Sequence, residues 1–257
     1  MIEKNLFSCY NNFKYYKSKH KDMTQKGTFL QRISVRKGAL ALASFLVVAS
    51  AGSYALASNT SNFQLTINPG TLSIDIVNGS YVTVASPTVV FGAVTTGFSC
   101  QTPGATGTFG TATQKLYIAN PDAADNGWTA SLAASDPTDE WSDTVPLDFN
   151  DPTGTPSGCA DGADADSSKG KMTVNASGAT LANGQCTGCN TSNVTLGSSA
   201  SFSEGVLDSV TVASAAAAAN DIADYTVQGV AVSQTIPSSQ PASSGYDINM
   251  VLSIVAL

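Results

Sequence analysis

Apolar and polar residues alternate one for one through much of this chain. In Asn62–Asn68 (NFQLTIN) the apolar side is Phe63, Leu65 and Ile67, and in Thr71–Ile76 (TLSIDI) it is Leu72, Ile74 and Ile76. In Gly245–Val255 (GYDINMVLSIV) it is Tyr246, Ile248, Met250, Leu252 and Ile254, with Asp247, Asn249 and Ser253 turned the other way. A period of two places one face of a strand on a core and the other in solvent. Shorter runs of this kind occupy 81–84, 88–91, 115–119, 128–132, 171–174, 193–196, 209–213 and 225–233. Gly, Pro, Asn and Asp separate them, and the whole predicts an all-β protein, an antiparallel β-sandwich of about ten strands. An alanine run at Ala215–Ala219 is the one place where a helical turn or two is expected.

Two regions break the pattern. Residues 135–171 hold four prolines and nine acids with few apolar positions, which predicts a long acidic loop insertion projecting from the sheets. The N-terminus is the opposite in charge. Residues 4–37 carry nine Lys or Arg, then an apolar run from Ala39 to Ala51, then small residues ending Ala55-Leu56-Ala57. That is the order of a secretory signal, so residues 1–57 are expected to be a removed leader and 58–257 a single β-sandwich surface domain. An uncleaved anchor is the rival reading of the same run, but it would need about 20 apolar residues.

Removing that leader changes the charge picture. Residues 58–257 contain Lys115, Lys169 and Lys171 as their only cations, no Arg and no His, against 17 acids, so their net charge is 3 − 17 = −14. Such a field repels nucleic acid and anionic membrane surfaces. Catalysis is also poorly supplied: without His there is no Ser-His or Cys-His nucleophile, and without Arg there is no bidentate phosphate clamp. A non-enzymatic protein is expected.

Divalent cations are the natural counter-charge. Hard cations take six to eight oxygens, which loops supply more readily than strands. Asp161, Asp164 and Asp166, spaced by Gly and Ala, are the candidate ligands for calcium on one arm of the insertion, and Asp148, Asn150 and Asp151 close the shell from the other. A solvated acidic turn explains the same residues, because the spacing is not that of an EF-hand. Asn120–Gly127 (NPDAADNG) is a weaker second candidate that a β-turn with Asx bonds explains equally well. Four cysteines, Cys100, Cys159, Cys186 and Cys189, remain after the leader; an even number in an exported chain predicts two disulfides, with three connectivities open.

The motifs FGAVTTG, DNGWTA and GYDINM, in that order, resemble those of the WxL-type surface domains of bacterial cell envelopes. Phe91-Gly92 and Asp125-Asn126-Gly127-Trp128 match the family's early FG strand and its D…GW-x-L strand, while no Trp stands in the closing motif at Tyr246–Met250. The resemblance implies a secreted, cell-surface β-sandwich held non-covalently at the cell wall, with a wall polymer or other surface proteins as partners. Phe91, Gly92, Gly127 and Trp128 are the family-motif positions; packing at a core edge is the plainer account of Trp128. A second reading makes the chain a subunit of an extracellular biofilm-type or pilus-like fibre, self-assembling as the Phe63–Ile67 strand adds to a neighbour's sheet edge.

Overall fold

The computed structural model describes residues 64–257 apart from Asp125, Ala163 and Asp164. The leader, its apolar run and Phe63 therefore lie outside the described residues. Twelve strands follow: β1 (Ser73–Val77), β2 (Gln101–Phe109), β3 (Lys115–Asn120), β4 (Trp128–Ala134), β5 (Met172–Asn175), β6 (Thr180–Asn183), β7 (Val194–Leu196), β8 (Ser199–Ser201), β9 (Ser209–Ala215), β10 (Ala223–Gln228), β11 (Val230–Ile236) and β12 (Met250–Ala256). Every strand pair is antiparallel. The strands form three four-stranded sheets, ordered β1-β3-β10-β6, β2-β11-β5-β8 and β12-β4-β9-β7. The fold is all-β and sandwich-like, as the alternation predicts.

All three sheets feed one core. Leu116 and Ile118 of β3, Trp128 and Ala130 of β4, Val174 of β5, Val210 and Val212 of β9, Tyr225 of β10 and Val230 of β11 are all buried in it. The Trp128 and Tyr225 rings meet at 5.8 Å between centroids. Burying a large aromatic removes roughly 150–250 Å² from water, which at ~25 cal/mol/Å² contributes about 4–6 kcal/mol before ordering costs. Five residues of β10 in succession, Ala223 to Val227, are buried, since both faces of this strand are covered.

Several expectations are redrawn. The 225–233 run is two strands, not one, because Gly229 turns the chain with φ +82° between β10 and β11. Residues 81–84 and 88–91 contribute only single bridges, Val77 to Thr83 and Phe91 to Gly107. The alanine run is not helical: Ala215 ends β9 and the chain then turns, with Ala219 N bonded to the Ala216 carbonyl at 2.9 Å. Residues 64–68 form no strand, and Leu65 and Ile67 stand 85% and 84% exposed. The acidic insertion does not simply project from the sheets. Leu147, Asp148, Phe149, Asn150 and Asp151 are buried, and the Phe149 and Phe202 rings pack edge to face at 5.2 Å.

Candidate functional site

The insertion enters the body because its backbone finds partners there. Asp148 N donates to the Lys169 carbonyl at 3.1 Å, Asp151 N to the Gly170 carbonyl at 3.0 Å, and Met172 N to the Phe149 carbonyl at 2.6 Å, so 148–151 runs antiparallel beside the entry to β5. Gly170 makes this approach possible. Its φ is +143°, and a Cβ there would lie 2.1 Å from the Asp148 carbonyl oxygen.

Gln234 locks the arrangement. The β2–β11 register shifts between Gln234 and Ile236, and both Gln234 and Thr235 are buried at that bulge. Gln234 Nε2 donates to the Asp148 carbonyl at 2.8 Å, and its Oε1 accepts from Trp141 Nε1 at 2.9 Å. Neither Gln234 nor Trp141 stands out in the sequence, since a lone Gln in a strand reads as an outward polar position.

Three of the proposed calcium ligands meet in this buried segment. Asp148 Oδ1 accepts from the Phe149 and Asn150 amides at 2.5 and 3.0 Å, and Asp151 Oδ1 accepts from Thr153 N at 3.0 Å. Asn150 spends its Nδ2 on the Pro137 carbonyl at 2.7 Å. The second oxygens, Asp148 Oδ2 and Asp151 Oδ2, are buried without a hydrogen-bond partner among the described residues. Burial pushes the Asp148 carboxyl up to about 7, against the pull of its two amide donors, and the negative charges of Asp166 and Asp151 add to the rise.

The other arm is less converged. Gly162 comes over Asp151, where a Cβ would lie 2.9 Å from Oδ1. Asp161 and Asp166 are exposed, Asp166 Oδ1 accepting from Ser168 N at 2.7 Å, and Asp164 lies outside the described residues. Among the described residues no three His, Cys, Asp or Glu side chains gather in a metal-holding group. At the weaker candidate, Asp122 Oδ1 accepts from Ala124 N at 3.0 Å, an Asx turn, and Asp125 is outside the described residues.

The cysteines pair as Cys100–Cys159 and Cys186–Cys189. The first ties β2's approach to the insertion, and Cys159 N also caps the Thr153 carbonyl at 3.1 Å. The second closes a short loop beside Asp224, a buried carboxylate that accepts from Tyr117 Oη at 2.7 Å and from the Gln185 and Cys186 amides at 2.6 and 2.8 Å. Burial and this bond hold the Tyr117 hydroxyl above its ordinary range.

The family-motif positions serve packing. Trp128 is 1% exposed. Gly127 has φ +73°, and a Cβ there would meet the Ala215 carbonyl at 2.5 Å. Gly92 N donates to the Thr106 carbonyl at 2.8 Å, and Phe91 packs edge to face on Trp141 at 5.1 Å. Those two rings help line a cleft of about 590 Å³ beside β1 and β12, in which Ile74, Ile76, Met250 and Leu252 share the walls with polar residues such as Asp75, Gln114 and Asn249.

No protein-family model, no curated protein and no solved structure matches this chain.

Proposed function

We propose that the protein is an exported, non-enzymatic surface component, a structural or adhesive module associated non-covalently with the cell wall. The observation that carries this reading is the Cys100–Cys159 bridge, which ties residues 59 apart into one body. Disulfides of this structural kind persist in oxidising compartments, and the signal-like run ahead of residue 58 supplies the route there. The absence of His and Arg from 58–257 agrees with a role in binding or building. The resemblance of the FG and DNGW motifs to WxL-type domains supplies the wall as partner.

Calcium fits this reading as a stabiliser. Asp148 Oδ2 and Asp151 Oδ2 are buried carboxylate oxygens with no hydrogen-bond partner among the described residues, and a bound cation would relieve that cost. The residues proposed to hold it remain Asp148, Asn150, Asp151, Asp161, Asp164 and Asp166.

Co-sedimentation of residues 58–257 with purified cell walls, beside a wall-free tube and with calcium or chelator present, tests both points. Pelleting only with walls is expected, and a protein that stays in the supernatant at micromolar concentration removes the wall from the proposal. A second reading, an extracellular fibre subunit, is favoured by one specific observation: Leu65 and Ile67, alternating with polar residues, stand almost fully exposed.

A further inference from the structure

β12 is a sheet edge with β1 near it but not hydrogen-bonded to it. It pairs with β4 alone among the described residues, over seven residues from Met250↔Ala134 to Ala256↔Trp128. Its sequence, MVLSIVA, carries no charge, no Pro and no Gly, the devices that blunt free edges. Its inward side chains Met250, Leu252 and Ile254 are only half-buried, and Met250 and Leu252 line the cleft toward β1. On its outer face Val255 is 63% exposed.

Ahead of β1 the sequence also carries a segment with strand-like alternation. Residues 58–71 contain no acid or base, so the segment itself brings no charge to the surface it meets. Leu65 and Ile67, with Phe63 before them in the sequence, repeat at the two-residue period a strand needs to fill an apolar cleft. Fully extended, residues 58–68 span about 36 Å, against about 23 Å for β12.

At Gly70 the chain runs beside the end of β3. Gly70 N donates to the Pro121 carbonyl at 2.8 Å, and a Cβ on Gly70 would strike the Pro121 ring, so the chain ahead of β1 still follows the β3 line at that point. β3 flanks the side of β1 opposite the cleft.

We infer that the outer edge of β12 accepts the Phe63–Ile67 segment of a second copy of this chain, whose Leu65 and Ile67 enter the cleft between β12 and β1. This rests on the fibre reading and names its acceptor. Main-chain hydrogen bonds along β12 would supply affinity and the cleft would supply register. Because donor and acceptor are different surfaces, the contact is head to tail and propagates into a filament.

The test uses the disulfide-intact chain from Ser58 and its Leu65→Asp/Ile67→Asp double variant, read by sedimentation velocity, electron microscopy and hydrogen exchange. The expected result is polymers from the parent chain, monomers from the variant, and amide exchange at 250–256 slowed at least tenfold in the polymer relative to the variant. Both substitutions fall on exposed residues outside the strands, so the variant should keep the parent's unfolding midpoint. Polymers that vanish in the variant while 250–256 exchange alike in both would overturn the β12 acceptor and leave the fibre reading standing. Dimers that survive the variant with β12 protected would mean β12 pairs with itself, and a parent chain that stays monomeric sinks both.

Discussion

Trp141 Nε1 and the Asp148 carbonyl, both in the acidic insertion, converge on a single side chain of β11: the indole donates to Gln234 Oε1 at 2.9 Å and the carbonyl accepts from Gln234 Nε2 at 2.8 Å. One amide thereby satisfies both polar groups where the insertion meets the sheet. Removing it with Gln234→Ala leaves buried polar groups unpaired, and a loss of about 2–4 kcal/mol is expected. Denaturant unfolding measures this directly. A loss under about 0.5 kcal/mol would show that the insertion is held by other contacts.

Gly170 predicts a sharper failure. Its Cβ would meet the Asp148 carbonyl oxygen, a backbone atom with no room to give, and its φ of +143° suits no L side chain. Gly170→Ala is expected to cost at least about 2 kcal/mol and to raise proteolysis between 148 and 171 before the sheets unfold. Gly178, with nothing within 4 Å of its Cβ position, is the matched control and should tolerate alanine.

The Asp148 carboxyl gives the protein a pH signature. Its pKa in the fold is raised to about 7 from 3.8, so between those values the folded state holds a proton that the unfolded state has released. Stability from this group is full below pH 4 and falls as pH rises through 7, by about 2–4 kcal/mol. Asp136 and Asp143, whose pKa values are lowered by hydrogen bonds, act in the opposite sense, and only in more acidic solution. Asp148→Asn should flatten the fall between pH 4 and 7. Millimolar calcium should raise the melting temperature at pH 8 in the parent chain and not in this variant; an equal rise in both would move the cation elsewhere.

The two disulfides should differ in weight. Cys100–Cys159 closes a loop of 59 residues, for which the chain-entropy account gives about 4 kcal/mol, whereas Cys186–Cys189 spans three. Cys100→Ser/Cys159→Ser is expected to lower the midpoint of unfolding strongly, and Cys186→Ser/Cys189→Ser much less. Comparable losses would mean that the short loop organises the Asp224 cluster instead of merely closing it.

The strands legible in the sequence are those that set apolar side chains on a core. β3, β4, β5, β9, β10 and β11, each with a neighbour on both sides, announce themselves in this way, and so do the edge strands β1, β7 and β12. The strands it hides, β2, β6 and β8, are all sheet edges. QTPGATGTF can carry Pro103 in β2 because an edge strand has one side on which no amide is needed. The candidate site was half legible: Asp148, Asn150 and Asp151 do lie together. Their burial was not, since it depends on Gln234 and Gly170, distant residues whose roles exist only once β11 and the insertion have met.

The pairing of β4 with β12 has a temporal side. Trp128–Ala134 is made near the middle of the chain, yet its partner on one side, Met250–Ala256, is made after every other strand. Until then the largest buried ring of the core, Trp128, lies on a strand with one neighbour missing. Closing this sheet is therefore a late, non-local step, because it joins strands more than a hundred residues apart in the sequence.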